Sequence, residues 1–124
     1  MFNERQVVAY KNYFIDFYKQ QADNVQAKIE WTLQFIKITE HVPKKYFDHI
    51  TGTKGLYEIR VEVGSNIFRI FSFFDKGNLI VLGNAFQKKT QKTPKKEIDK
   101  ALKIMEEYKN ELTKQITNAN KKIK

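Results

Sequence analysis

The chain of 124 residues has no cysteine, two prolines, five glycines and no long apolar run. The lack of cysteine excludes a disulfide scaffold, a thiol nucleophile and a zinc site built on thiolates. No apolar segment reaches the roughly 18 residues that a membrane-spanning helix needs. The N-terminus lacks the basic start and apolar core of a signal peptide. These absences predict a small cytoplasmic protein that has no membrane partner.

Arginine and histidine are also scarce. Of the 23 basic residues, 20 are lysines, and the only arginines are Arg5, Arg60 and Arg69. His41 and His49 stand apart from any carboxylate at metal-ligand spacing, so we interpret them as surface residues. No P-loop, dinucleotide-binding or serine-hydrolase motif is present in the sequence. The sequence therefore predicts no metal and no small-molecule cofactor, and its composition alone does not indicate a reaction.

The net charge of +9 is unevenly distributed. Residues 1–85 carry 11 basic and 9 acidic side chains, whereas residues 86–124 carry 12 and 5. A basic block of this kind favours a polyanionic partner such as nucleic acid. A solvated, lysine-rich helix explains the same composition, so both interpretations stay open on charge alone. With 41% hydrophobic residues, the chain is too apolar for a disordered tail and is long enough for one domain.

The N-terminal part predicts a strand followed by a helix. The aromatic run over residues 13–18 is typical of a strand, which could begin near Val7. Asp23 predicts the N-cap of a helix, because Gln26 follows at the spacing of a capping box. Apolar residues then recur at helical spacing, and the helix should end before Pro43.

The middle of the chain predicts a three-stranded antiparallel meander. A short helical turn is expected over residues 44–50. Apolar and aromatic runs follow at residues 56–63, 67–74 and 79–86. The separators at 64–66 and 75–78 are short enough for tight hairpins.

A second helix completes the predicted order. Thr93 and Pro94 are typical of a helix start, and the apolar stripe that follows continues to Leu112. We predict one domain over residues 1–112 and a basic, frayed tail over residues 113–124. The order of strand, helix, meander and helix predicts an α+β fold with helices on one face of an antiparallel sheet.

Strand alternation places the arginines on one face of this predicted sheet. In the run 56–63 the odd-numbered apolar residues must face the helices, so Arg60 faces outward. A two-residue turn at 65–66 puts Glu62 opposite Arg69 on the same outer face. A slip by one residue would bury Arg69 without a partner, which is costly. The predicted outer face contains Glu58, Arg60, Glu62, Arg69, Phe71, Phe73 and Asn84, with Lys88 and Lys89 just past its last strand.

Cations beside exposed aromatic rings would suit phosphates and bases together. The planar guanidinium of arginine suits bidentate phosphate binding better than lysine does. In the alternative interpretation, Arg69 pairs with Glu62 across the hairpin and only holds the sheet together.

Three segments resemble the RelE/ParE toxin superfamily, and most closely its phage-derived, HigB-like branch. The segments are KGLYEIRV at 54–61, FRIF at 68–71 and NAFQKKTQKTPKKEI at 84–98. The resemblance extends over residues 10–112, and its most specific part is residues 86–97. The predicted order of elements is similar to the fold of that family, which we therefore expect here.

The resemblance implies a type II toxin held inactive by a cognate antitoxin of the helix-turn-helix type. It implies metal-independent cleavage of mRNA in the ribosomal A site, in which the RNA 2′-hydroxyl attacks the adjacent phosphate. By position, Arg69 matches the arginine placed near the scissile phosphate, and Arg60 matches a basic residue one hairpin arm earlier. Lys88 and Lys89 match the basic residues that end the last strand.

The candidate RNA-binding residues are Lys54, Phe71, Phe86, Lys92, Lys95 and Lys96. Several relatives carry a tyrosine or histidine near the C-terminus for proton transfer or base stacking. Here no histidine follows His49, and the only tyrosine beyond Tyr57 is Tyr108. We therefore hypothesise that Lys88 or Lys89 transfers a proton, with a pKa lowered by neighbouring cations.

Two other functions stay open on the same fold. One is a ParE-like inhibitor of DNA gyrase, which the basic outer face does not favour. The other is a non-catalytic module that binds nucleic acid or an antitoxin.

Overall fold

The structure, a computed structural model, describes residues 2–89 and 92–123. Its elements are β1 (Gln6–Ala9), α1 (Tyr13–Lys19), α2 (Asp23–Ile38), β2 (Phe47–His49), β3 (Leu56–Val63), β4 (Asn66–Phe74), β5 (Leu79–Lys88) and α3 (Lys95–Ile123). The predicted α+β class is confirmed, and the architecture is consistent with the RelE-like fold that the resemblance implies.

The elements form one mixed sheet with the strand order β1-β5-β4-β3-β2. The antiparallel meander of β3, β4 and β5 is confirmed. β2 adds an antiparallel edge strand to β3, and β1 pairs in parallel with β5 at the other edge. The meander was predictable because its apolar segments are long and the turns between them short. β1 and β2 are too short for an alternation of apolar and polar residues to be recognised.

The predicted strand over residues 13–18 is wrong, because α1 occupies this segment and β1 precedes it. Phe14 and Tyr18 lie one helical turn apart, with their ring centroids at 5.8 Å. Phe17 packs against Phe68 of β4 at 6.3 Å. Aromatic residues favour strands on average, but the spacing i, i+3, i+4 also forms one face of a helix. Packing against the sheet decides between the two.

α2 begins at Asp23 without the predicted cap, since no side chain caps this helix. The Gln26 Nε2 group donates instead to the carbonyl oxygen of Tyr18 at 2.8 Å. The helix ends before Pro43, as predicted. The expected helical turn over residues 44–50 is wrong for the part that β2 occupies.

The two faces of the sheet are covered by different helices. α1 and α2 cover the face on which Ile59 and Val61 are completely buried, as alternation predicted. α3 packs on the opposite face, where Phe71 and Phe73 are 0% and 2% exposed. The prediction that these two rings are exposed is therefore wrong. α3 covers only part of this face, and the remainder contains the arginines.

α3 starts directly after Thr93 and Pro94, as predicted, and continues past Leu112 as one helix. Lys11 fixes it to the chain after β1, because Lys11 Nζ lies 2.9 Å from Glu107 Oε2 and 3.0 Å from an oxygen of Glu111. The division of the chain at Leu112 stays a prediction. Within the described ranges, no helix has both the length and the apolarity needed to cross a bilayer.

Candidate functional site

Arg60 and Arg69 are direct cross-strand neighbours in the pairing of β3 with β4. The predicted register, with Glu62 opposite Arg69, is wrong by two residues, because Val63 pairs with Asn66. A shift by two preserves the face, so both arginines still project from one side of the sheet. Like charges directly opposite each other are destabilising, and this pair therefore needs compensation.

Glu58 and Glu62 supply that compensation. Arg69 Nη1 lies 2.7 Å from Glu58 Oε1, and Arg60 Nη2 lies 2.6 Å from Glu62 Oε1. The side chains of Arg69 and Glu58 are only 10% and 14% exposed. The alternative in which Arg69 pairs with Glu62 is thus wrong about the partner. Desolvation offsets most of the attraction in a buried ion pair, so stability alone is a weak reason for this arrangement.

Both guanidinium groups retain hydrogen-bond donors that the protein does not use. Among the described residues, neither Arg60 Nε nor Arg69 Nε has a partner, although both atoms are buried. An unsatisfied buried donor costs about 1–3 kcal/mol. Two neighbouring guanidinium groups also present several N–H donors side by side, an arrangement that suits the oxygens of one phosphate group. The arginine pair is therefore chemically suited to an anionic ligand.

Lys88 ends β5 on the same face as the arginines. It pairs with Ile67, which places it diagonally from Arg69. Burial lowers the pKa of Lys88, and the charges of Arg69 and Arg60 lower it further, while Glu58 acts in the opposite direction. This is the direction that proton transfer by a crowded lysine requires. Lys89 lies just past the strand and is exposed.

Glu58 shows the complementary behaviour. Burial raises the pKa of its carboxyl group, and the charges of Arg69 and Lys88 offset only part of this increase. Thr93 Oγ1 also donates a hydrogen bond to Glu58 Oε1 at 3.2 Å. The pKa values of Glu58 and Lys88 therefore shift towards each other, as is useful for a general base and a general acid near neutral pH.

The other predicted RNA-binding residues fall into two groups. Phe71 lies under α3 and stacks on Phe86 with a centroid distance of 5.7 Å, so no base can reach it. Phe86 is half-buried directly opposite Arg69. The lysines are all exposed at or near the ends of β2, β5 and α3: Lys54, Lys92, Lys95 and Lys96.

Two tyrosines, Tyr108 and Tyr46, bear on the search for proton-transfer or stacking groups. Tyr108 Oη donates to Asp75 Oδ2 at 2.5 Å, and burial raises the pKa of Tyr108 to about 12. Tyr108 lies on α3 and packs against Phe73 of β4, so its role is structural. Tyr46 was not predicted from the sequence, and its carbonyl oxygen accepts a hydrogen bond from Arg60 N at 3.0 Å. Tyr46 precedes β2, and only the sheet register brings it to Arg60.

The sequence did not indicate Glu58 as an acid–base group and only placed it on the outer face of the sheet. The alternation of side chains along β3 places Glu58 on the same face as the arginines, but the burial of Glu58 depends on the packing of α3. In the described part of the chain, no group of three or more histidine and carboxylate side chains could hold a metal ion.

The model of the family described as phage-derived protein Gp49-like (DUF891) matches residues 16–106. The matched segment contains all of the charged candidate residues, from Lys54 to Lys96. No curated protein matches the chain significantly.

Proposed function

Because the chain belongs to the family of phage-derived Gp49-like proteins, which is associated with RelE/toxin-like proteins, we propose that it is a HigB-like type II toxin. In this proposal it cleaves mRNA on the ribosome in the cytoplasm and is inhibited by a helix-turn-helix antitoxin. A toxin-like family supports an antitoxin partner. The observation that carries the proposal is the cross-strand Arg60–Arg69 pair on one face of the sheet, beside Glu58 and Lys88.

The charged cluster can supply each group that attack by a 2′-hydroxyl requires. The Glu58 carboxylate accepts the proton of the 2′-hydroxyl, whose oxygen forms a bond to the adjacent phosphorus. Arg69 and Arg60 bind the non-bridging oxygens, on which negative charge increases in the transition state. The bond from phosphorus to the 5′-oxygen breaks, and Lys88 protonates that oxygen. The products are a 2′,3′-cyclic phosphate and a free 5′-hydroxyl.

Purified protein is expected to cleave mRNA on programmed ribosomes at the A-site codon and to leave free RNA largely intact. Mapping of the new 5′ ends by ligation provides the measurement. These ends should become ligatable only after phosphorylation, because the mechanism leaves a 5′-hydroxyl. Lys76→Ala is the control, since Lys76 is exposed in the β4–β5 turn, away from the cluster.

The two alternative functions give different results with the same protein. Inhibition of DNA gyrase without RNA cleavage would support a ParE-like function. Binding of RNA or antitoxin with neither effect would identify a non-catalytic module. Either outcome would contradict the ribonuclease proposal.

The lysines at the start of α3 are proposed to bind the RNA backbone. Replacing Lys95 and Lys96 with alanine should lower the slope of log K against log salt by about 1.4, or about 0.7 per phosphate contact on single-stranded RNA. The measurement is fluorescence anisotropy of a 2′-O-methylated oligonucleotide at several salt concentrations. Lys100→Ala with Lys103→Ala removes the same charge from exposed positions further along α3 and should leave the slope unchanged. Equal slopes for both double variants would contradict the assignment.

A further inference from the structure

A pocket of about 210 Å³ lies at the edge of β3, next to the arginine pair. Its lining comes from α2, from the segment before β2 and from the β3–β4 hairpin: Lys28, Lys45, Tyr46, Arg60, Glu62 and Gly64. Three of these side chains are cationic and one is acidic. The pocket was not indicated by the sequence, because its residues are spread over three elements.

Tyr46 is the aromatic wall of this pocket and is firmly supported from behind. Its ring contacts Phe35 at 5.0 Å and Trp31 at 6.1 Å, both at steep angles. Phe35 and Trp31 stack on each other at 5.2 Å, with their planes within 5°. These contacts hold the Tyr46 ring in place and leave the residue partly exposed.

Lysine ammonium groups already lie over these rings. Lys45 Nζ is 5.7 Å from the centroid of Tyr46, and Lys28 Nζ is 4.3 Å from the centroid of Trp31. Both lysines line the pocket. A flat ring that enters the pocket can stack on Tyr46 if the flexible Lys45 side chain moves aside, and the two ammonium groups can then bind a neighbouring phosphate.

Arg60 joins the pocket to the phosphate site. It lines the pocket and is also the direct cross-strand neighbour of Arg69. β2 pairs with β3 as far as Ile59, and the Tyr46 carbonyl oxygen accepts a hydrogen bond from Arg60 N just beyond it. Past Arg60, β3 has no strand neighbour on this side in the described part of the sheet. A strand of nucleic acid can pass from Arg69 over this open edge without obstruction by another strand.

We propose that this pocket binds the nucleotide next to the scissile phosphate, with its base stacked on Tyr46 and its phosphate held by Lys28 and Lys45. The proposal rests on the ribonuclease function, since it assigns part of the path of the RNA substrate. The pocket thus extends the substrate site by one nucleotide.

The lining favours single-stranded RNA over a protein partner. The core of a protein–protein interface is depleted in charged residues, whereas the pocket presents three cations beside one ring. Stacking on an aromatic ring next to cations is how proteins bind single-stranded nucleic acid. An antitoxin segment is the alternative occupant, and the experiment distinguishes it.

The test is the affinity of the full chain for a short 2′-O-methylated single-stranded RNA, measured by fluorescence anisotropy. Tyr46→Leu is expected to weaken binding about tenfold, while Tyr46→Phe retains the ring and should bind as tightly as the wild type. Lys45→Met should also weaken binding, whereas Lys44→Met removes the same charge from the adjacent residue, outside the pocket, and should not. Thermal unfolding checks that each variant is folded.

The outcomes separate this proposal from the ribonuclease proposal. A chain that cleaves mRNA equally well with leucine or tyrosine at position 46, and binds RNA equally well, would overturn the pocket assignment and leave the ribonuclease function intact. A chain that cleaves nothing but binds RNA through Tyr46 would retain the pocket and overturn the ribonuclease function. Weaker antitoxin binding with unchanged RNA binding would assign the pocket to a protein partner and overturn the proposal.

Discussion

Arg69→Ala is expected to lower the rate of mRNA cleavage on the ribosome by about 10³-fold or more. Arg69 is the most buried cation of the cluster, and its Nε donor has no partner among the described residues. The substitution removes the guanidinium group that is proposed to stabilise charge on the phosphate. Single-turnover cleavage of a defined mRNA on programmed ribosomes measures the effect directly, because binding and product release do not limit that rate.

The same substitution should also destabilise the fold. It leaves Glu58 buried without its ion-pair partner, a change that typically costs about 3–5 kcal/mol. Burial already raises the pKa of Glu58, and the loss of Arg69 should raise it further. A raised pKa in the folded state means that stability is lost as the pH rises through that pKa. Urea unfolding of the Arg69→Ala variant should therefore show a larger deficit at pH 8 than at pH 5.

Two further variants separate catalysis from folding. Arg69→Ala combined with Glu58→Ala removes both charges and should recover much of the lost stability without recovering cleavage. Arg69→Lys retains a charge but loses the planar fork, so it should fold better than Arg69→Ala and still cleave poorly. A folded Arg69→Ala variant that cleaves at the wild-type rate would contradict the proposed role of Arg69.

The sequence predicted the face of each arginine better than it predicted their partners. Side chains alternate with a period of two, so a register error of two residues left Arg60 and Arg69 on the same side of the sheet. The partners depend on the register itself. The turn at the β3–β4 hairpin set that register, and the sequence allowed more than one turn there.

The packing of helices on the sheet was harder to predict. A helical stripe shows that α3 is amphipathic, but it does not specify which face of the sheet it covers. Placing α3 with the other helices would expose Phe71 and Phe73, whereas the structure buries both. The burial of Glu58, and with it the shift in its pKa, follows from the same packing. The acid–base pair was therefore not predictable from local pattern.

Glu58→Gln is expected to lower the rate of cleavage by about 10²–10³-fold, as loss of a general base does. Glutamine retains the shape and can still accept hydrogen bonds from Arg69 and Thr93, but it cannot accept a proton from the 2′-hydroxyl. Glu62→Gln is the matched comparison, because Glu62 lies on the same face of β3 and pairs with Arg60 in a more exposed position. Its effect should be less than about tenfold, in keeping with the small contribution of exposed ion pairs.

The dependence of the rate on pH identifies the role of each group. The wild-type rate should rise with pH as Glu58 loses its proton and fall again as Lys88 loses its proton. Burial raises the pKa of Glu58 and lowers that of Lys88, so the bell-shaped profile should be narrower than the ordinary pKa values of the two groups imply. Glu58→Gln should remove only the rising limb, and Lys88→Met only the falling limb, whereas Lys89→Met should retain both. A rising limb that persists in a folded Glu58→Gln variant would assign the base to another group, because glutamine does not titrate.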